Sequence, residues 1–305
     1  MSLTIFSHKD CFGHAMPEDH PERPARLEAA LRGIEQLGDF RMLDANPIHR
    51  DQLRRAHGEA YLDRLETLNE VGHLHALDQD TYLGPGTLRA AALAAGAACQ
   101  AVDTVMKADY STSAFAVVRP PGHHAEASRA MGFCYYSSLA IAALHARDAL
   151  GLTRIAVCDF DVHHGNGTEA ILADQPGIQF VSSHQSPLYP GTGRDQDPSA
   201  ENITNCSLTP QSGSNEFREH WSEHLLPTID SFKPQIILVS AGFDAHWRDP
   251  LAQLQLKDED FYWIGHELKK LAEQHAHGRL AASLEGGYDL KALEDSTLAF
   301  AEAIA

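Results

Sequence analysis

Short apolar runs alternate with longer amphipathic stretches along this chain. Leu3 to Phe6, Ala114 to Val118, Arg154 to Cys158, Ile178 to Val181, Ile236 to Ser240 and Leu280 to Leu284 are brief and rich in β-branched and aliphatic residues. Runs of that length and composition predict strands buried on both faces, as in a parallel sheet. Between them, Pro24 to Leu37 places Leu27, Leu31, Ile34 and Leu37 on one face before Gly38, the spacing of an amphipathic helix with a glycine stop. The Ala-rich segment Thr87 to Lys107, and also Ser138 to Leu150, Asn215 to Ser231 and Asp258 to His275, behave similarly. Strand and helix in alternation predict one α/β domain over residues 1–305, a central, mostly parallel sheet flanked by helices on both faces. No internal repeat, low-complexity tract or linker divides the chain.

Charge and cysteine usage narrow the function classes. A formal charge of −18 argues against a general nucleic-acid binder, since Lys and Arg supply affinity for phosphates; a cationic substrate fits better. Cys11, Cys99, Cys134, Cys158 and Cys206 are odd in number and widely spaced, with no CxxC pair, so neither a disulfide framework nor a thiolate zinc knuckle is expected. The start MSLTIFSHKDCFGH does not read as a secretory signal, and no apolar run is long enough to span a membrane. A cytoplasmic protein without membrane association is expected, an oligomer being compatible with it.

Gly- and Pro-rich segments follow the predicted strands, which is where an open parallel sheet carries its ligand site. In CDFDVHHG, Asp161 and His163 project alike if the backbone is extended, with Asp159 one step deeper. A carboxylate and an imidazole suit Zn²⁺. Asp244, in FDAH after Ile236 to Ser240, is placed to supply a third donor, and three protein donors leave the open position that a catalytic rather than structural zinc requires. Each signal has a plainer reading: a solvated loop for DVH, a helix N-cap for Asp244. His123 and His124 follow the strand Ala114 to Val118 and offer an acid–base pair. In LEGGY, Gly286 and Gly287 precede Tyr288, whose phenol is placed to donate a hydrogen bond to a substrate oxyanion. The coincidence of these features at four strand ends, rather than any one of them, marks a site.

The segments HPERPARL, RPPGHHA, MGFCYYSS, DFDVHHGNGT, SSHQSPLYPGTG, SAGFDAH and LEGGYD, in this order from residue 1 to the C-terminus, resemble the histone deacetylase family. The likeness is to the class II-like bacterial histone deacetylase and acetylpolyamine amidohydrolase group, which has the arginase/deacetylase fold. The resemblance implies a zinc-dependent deacetylase with one catalytic Zn²⁺ held by Asp161, His163 and Asp244. It further implies a carbonyl-polarising Tyr288, His123 leaning on Asp159, and His124 as general base and then acid. Gly132, Phe133 and Tyr189 match the walls of an acyl-lysine tunnel, Arg26 an arginine at its inner end, and Gly286 is a further expected substrate-binding residue. The resemblance also implies a K⁺ held near Asp159, Asp161, His163 and the hydroxyl of Ser182.

Three positions refine the expectation. Asn166 stands where class I members carry an acid beside the second histidine, which favours a neutral His124. Leu251 stands where a polyamine-selective relative carries a gatekeeping glutamate, which tilts the substrate towards an acetylated lysine peptide or protein and away from an acetylated polyamine. Asp80 is the expected rim acid that holds substrate backbone N–H. A two-manganese ureohydrolase would need another acid near Asp244, where position 246 is His. An idle acyl-lysine binding module fits poorly with an intact Tyr288, His123 and His124.

Overall fold

The computed structural model describes residues 3–108, 112–195 and 198–305. Its strands are β1 (Leu3–Ser7), β2 (Phe40–Asp44), β3 (His75–Ala76), β4 (Tyr82–Leu83), β5 (Ser113–Ala116), β6 (Ile155–Asp159), β7 (Ile178–Gln185), β8 (Ile203–Leu208), β9 (Ile236–Ala241) and β10 (Leu280–Leu284). Eight form one sheet in the order β2-β1-β5-β10-β9-β6-β7-β8, with every pairing parallel. The remaining two, β3 and β4, make a small antiparallel pair. All six strands expected from apolar runs are present. Besides the short pair β3 and β4, the strands not expected are the edges of the main sheet, β2 and β8, whose Arg41, Asp44, Thr204, Asn205 and Ser207 break any apolar run. An edge strand needs only part of its surface buried, so polar side chains are tolerated there.

The helices are α1 (Pro24–Glu35), α2 (Arg50–Leu53), α3 (Glu59–Glu70), α4 (Thr87–Lys107), α5 (Ser138–Asp148), α6 (Asn166–Leu172), α7 (Ser214–His220), α8 (Leu226–Phe232), α9 (Asp258–His275) and α10 (Leu290–Ile304). On one face α4 packs against α5 and covers β1, β5 and β10, its alanines permitting close approach. On the other, α1, α10 and α9 pack side by side beneath β9 and β10. The segment expected as one helix from Asn215 to Ser231 is instead α7, a π-turn over Trp221–Leu225, and α8. Pro227, near the start of α8, has no amide hydrogen to continue an α-helical ladder.

Aromatic packing fixes the loops at the carboxyl ends of β6 and β9. Phe160 and Phe243 lie in the loops that follow β6 and β9, and both are buried under the sheet's end. Phe160 meets Phe243 at 6.1 Å, Phe261 of α9 at 6.1 Å and Phe300 of α10 at 5.5 Å between ring centres. Burying each ring is worth roughly 1.5–3 kcal/mol. These rings anchor the loops whose next residues are Asp161 and Asp244.

Candidate active site

The sheet order makes neighbours of β5, β10, β9, β6 and β7, although they lie far apart in sequence. Their carboxyl ends release the segments that hold His123 and His124, Tyr288, Asp244, Asp161 and His163, and Tyr189, respectively. A parallel sheet points all these ends the same way, so the loops converge.

One donor atom each of Asp161, His163 and Asp244 lies within 4.8 Å of the others. The imidazole Nδ1 of His163 is 3.2 Å from Asp161 Oδ1 and 3.1 Å from Asp244 Oδ2. Donors about 2.0–2.2 Å from a tetrahedral ion sit about 3.3–3.6 Å from one another, so the set has the size of a zinc site. The extended backbone expected for Asp161–Val162–His163 is not what brings them together. Strand β6 ends at Asp159 and the chain then turns, with Asp161 Oδ1 accepting the His163 amide at 2.9 Å and Asp244 Oδ1 the Val162 amide at 3.0 Å. Asp161 and Asp244 are buried. Burial opposes the charge of Asp161, yet His123 and His163 beside it hold its pKa well below the usual carboxylate range. Burial likewise opposes the imidazolium of His163, and the two aspartates overcome it, raising the pKa to about 10. Two buried carboxylates that drive an imidazole to hold a proton this tightly have the charge balance a divalent cation would satisfy.

The tandem histidines face opposite electrostatics. His123 Nδ1 lies 3.1 Å from Asp159 Oδ2; burial disfavours its charge, but Asp161 and Asp159 raise its pKa to about 10. His124 is pushed well below the ordinary histidine value, first by burial and then by the charges of His123 and His163. Its Nδ1–H donates to Asn166 Oδ1 at 2.8 Å, and Asn166 Nδ2 donates to Glu126 Oε1 at 2.9 Å. Glu126 thus orients the asparagine, the asparagine sets the tautomer, and Nε2 of a neutral His124 is left as a base.

A cavity of about 380 Å³ opens above these groups, lined at its base by His124, His163 and Tyr288. Gly132, Phe133, Tyr189, Leu251 and Asp80 also line it. Gly132 has φ +55°, and a Cβ there would stand 2.4 Å from the His124 ring, so glycine is what lets the wall lie on the base. Tyr189 meets His124 edge-on at 5.2 Å, and Phe133 meets Tyr288 at 5.9 Å. Arg26 and Gly286 are not among the lining residues. The Arg26 guanidinium sits 4.7 Å beneath the Tyr288 ring and donates to the carbonyls of Gly287 at 2.6 Å and Glu285 at 2.5 Å. The Gly286 amide donates to Asp161 Oδ2 at 2.8 Å. Ser182 pairs with Asp159 across β6 and β7 and bonds His184 at 3.0 Å.

Four supporting residues were not legible beforehand. His20 lines the cavity, lies edge-on to Phe133 at 4.8 Å and bonds the Asp80 carbonyl at 2.9 Å. Glu285 accepts the amides of Gly122 at 2.6 Å and His123 at 3.1 Å, its pKa pushed up to about 7 by burial. Asp249 holds the amides of Leu251 and Tyr288, and Glu126 acts as described. Only HPERPARL and LEGGY hinted at His20 and Glu285; no local pattern pointed to the other two.

A parallel α/β sheet with acid, base and metal-type donors at adjacent strand ends is the frame of an enzyme. Residues 20–304 match the family model for the histone deacetylase domain, and the chain belongs to the histone deacetylase family, as a hydrolase of the deacetylase and amidohydrolase kind. It is 37% identical to histone deacetylase 14, chloroplastic, of Arabidopsis thaliana, over 96% of this chain and 74% of that protein. It is 36% identical to a histone deacetylase-like amidohydrolase of Pseudomonas aeruginosa, over 90% and 73%. The solved structure of the HDA15 HD domain matches with a TM-score of 0.92 and 29% identity, over 99% of this chain and 88% of that one. Among the described residues no helix is long and apolar enough to cross a membrane.

Proposed function

We propose that this protein is a zinc-dependent deacetylase that hydrolyses the acetyl amide of acyl-lysine side chains. The observation that carries the reading is the convergence of Asp161, His163 and Asp244 on the floor of a cavity that also presents His124 and Tyr288. Asp161, His163 and Asp244 would hold Zn²⁺, which when bound supplies Lewis acidity towards the amide carbonyl and the attacking water. His124 Nε2 takes the proton of that water and returns it to the departing amine. The Tyr288 phenol donates a hydrogen bond to the carbonyl oxygen as negative charge grows on it. Asp159 holds His123 charged beside His124, which keeps His124 neutral and fit to act as a base. Phe133 and Tyr189 flank the alkyl chain and exclude water, and Asp80 receives a substrate backbone N–H at the rim. A K⁺ near Asp159, Asp161, His163 and Ser182 would steady the ends of β6 and β7. Five buried, unbridged cysteines fit a cytoplasmic setting.

Acetylated polyamines are a second substrate class, favoured by the acidic rim: Asp78 stands close enough to Asp80 to raise its pKa beyond the effect of burial, and a remote ammonium would be attracted there. Parallel rates on an acetyl-lysine peptide and an acetylated polyamine choose between the two. The zinc reading is tested by atomic absorption on Asp161→Ala and His163→Ala, both expected to lose the metal and the activity. One zinc per chain retained in either variant would sink the ligand assignment.

A further inference from the structure

We infer that Asp249 is a positioning residue for Tyr288, fixing through one carboxylate both the backbone that bears the phenol and the entrance residue Leu251. The inference rests on the reading of Tyr288 as the oxyanion donor. Tyr288 follows Gly286 and Gly287, the latter at φ +123°, so Glu285 and two residues without side chains separate it from the end of β10 at Leu284. Such a segment holds a phenol in place only if its backbone is gripped from outside. The Gly286 amide donates to Asp161 at 2.8 Å, the Gly286 carbonyl accepts from the Phe243 amide at 3.1 Å, and the Gly287 carbonyl accepts from Arg26 at 2.6 Å. The Tyr288 amide itself donates to Asp249 Oδ2 at 2.7 Å. Beyond it, Asp289 caps α10 through the Ala292 amide at 2.8 Å.

Asp249 is buried, and its second oxygen accepts the Leu251 amide at 3.0 Å. A carboxylate offers only acceptors, so it satisfies two converging N–H groups at once. An asparagine there has one oxygen and must turn its NH₂ towards the other amide. Through Asp249, the loop that begins at the metal-type ligand Asp244 reaches across to the loop after β10. A shift of about 1 Å in a catalytic group can cost on the order of 10²-fold in rate, so this grip acts on kcat through Tyr288.

The test is a double-mutant cycle on the zinc-loaded, full-length enzyme. Asp249→Asn should lower kcat on an acetyl-lysine peptide by roughly 10-fold or more, with KM within about threefold and zinc stoichiometry unchanged. In a Tyr288→Phe background the same substitution should lower kcat by less than about threefold, because the group it positions is already gone. An equal fold-loss in both backgrounds would overturn the inference and mark Asp249 as merely structural. Labelling the eight tyrosines with ¹⁵N supplies a second readout, the Tyr288 signal being the one lost in Tyr288→Phe. That signal should move in Asp249→Asn, and a Tyr288 amide left in place refutes the contact. Asp249→Ser, which brings no opposing NH₂, takes the place of the asparagine variant should that fail to fold. A fully active Tyr288→Phe would overturn the role of the phenol, and the ¹⁵N readout would then judge the Asp249 contact by itself.

Discussion

Replacing Glu22 by glutamine removes one charge from the most enclosed ionic cluster near the site. Glu22 accepts from Arg119 Nε at 2.8 Å, Arg119 Nη2 at 2.6 Å and Arg26 Nη1 at 3.2 Å, and all three side chains are at most 1% exposed. Burial alone would raise the Glu22 pKa, but Arg119 and His14 hold it well below the carboxylate range. At about 4 Å and an effective dielectric constant of about 20, each guanidinium–carboxylate pair is worth about 4 kcal/mol gross. Desolvation offsets part of this, and breaking a buried pair typically costs about 3–5 kcal/mol, because the partner charge is stranded. Glu22→Gln strands two, although Arg119 keeps the carbonyls of Cys11 and His14, and Arg26 those of Gly287 and Glu285. The expected loss is about 4 kcal/mol, a large part of a typical stability of about 5–15 kcal/mol. Equilibrium urea unfolding reads it as a lower midpoint at unchanged slope. Adding Arg119→Met should restore part of the loss, since it removes one stranded charge. A single variant within about 1 kcal/mol of the parent would refute the reasoning.

Three further outcomes are expected. Tyr288→Phe should lower kcat by about 10²-fold or more with zinc content unchanged, the usual cost of an oxyanion donor being about 2.7–4 kcal/mol; near-parental turnover of an acetyl-lysine peptide would rule out the role. Leu251→Glu, at the cavity wall, should lower KM for acetylated polyamines more than for acetyl-lysine peptide, and less so at high salt; an unchanged relative preference would show that Leu251 does not face the incoming chain. His57 is held neutral between the Glu126 carbonyl and the Ser137 amide, burial lowering its pKa from 6.5 to about 4. The unfolded chain therefore binds the proton first on acidification. The contribution of His57 is complete above about pH 6.5 and is lost as pH falls through about 4, a change of about 3 kcal/mol. Measured by urea unfolding, the stability difference between parent and His57→Gln should shrink from pH 7 to pH 4.5, and parallel curves would refute it.

Much of the architecture could be read from local pattern. The runs Arg154 to Cys158, Ile236 to Ser240 and Leu280 to Leu284 became β6, β9 and β10 because a strand buried on both faces needs continuous apolar sequence. Thr87 to Lys107 and Asp258 to His275 became α4 and α9 with the same bounds, since a helix that buries one stripe repeats it every three to four residues. The edges β2 and β8 and the π-turn at Trp221–Leu225 escaped, the edges for want of full burial and the π-turn because a break in helical hydrogen bonding leaves the side-chain period almost unchanged.

For the site, the sequence by itself determined which chemistry is present: carboxylates, imidazoles and a phenol, each in the turn after a strand, where functional groups escape the sheet. Which of them meet was decided by tertiary structure. Asp161 and Asp244 are 83 positions apart in the chain and share His163 only because β6 pairs with β9. Tyr288 reaches that floor because β10 lies on the other side of β9. Arg26 shows the same division: the resemblance expected it at the inner end of the cavity, and packing sets its guanidinium against the Tyr288 ring, 4.7 Å from the centroid. Glu126 and Asp249 act on residues 40 and 39 positions away. Spacing along a chain constrains neighbours on one element, whereas strand order, a property of the whole core, selects partners across elements.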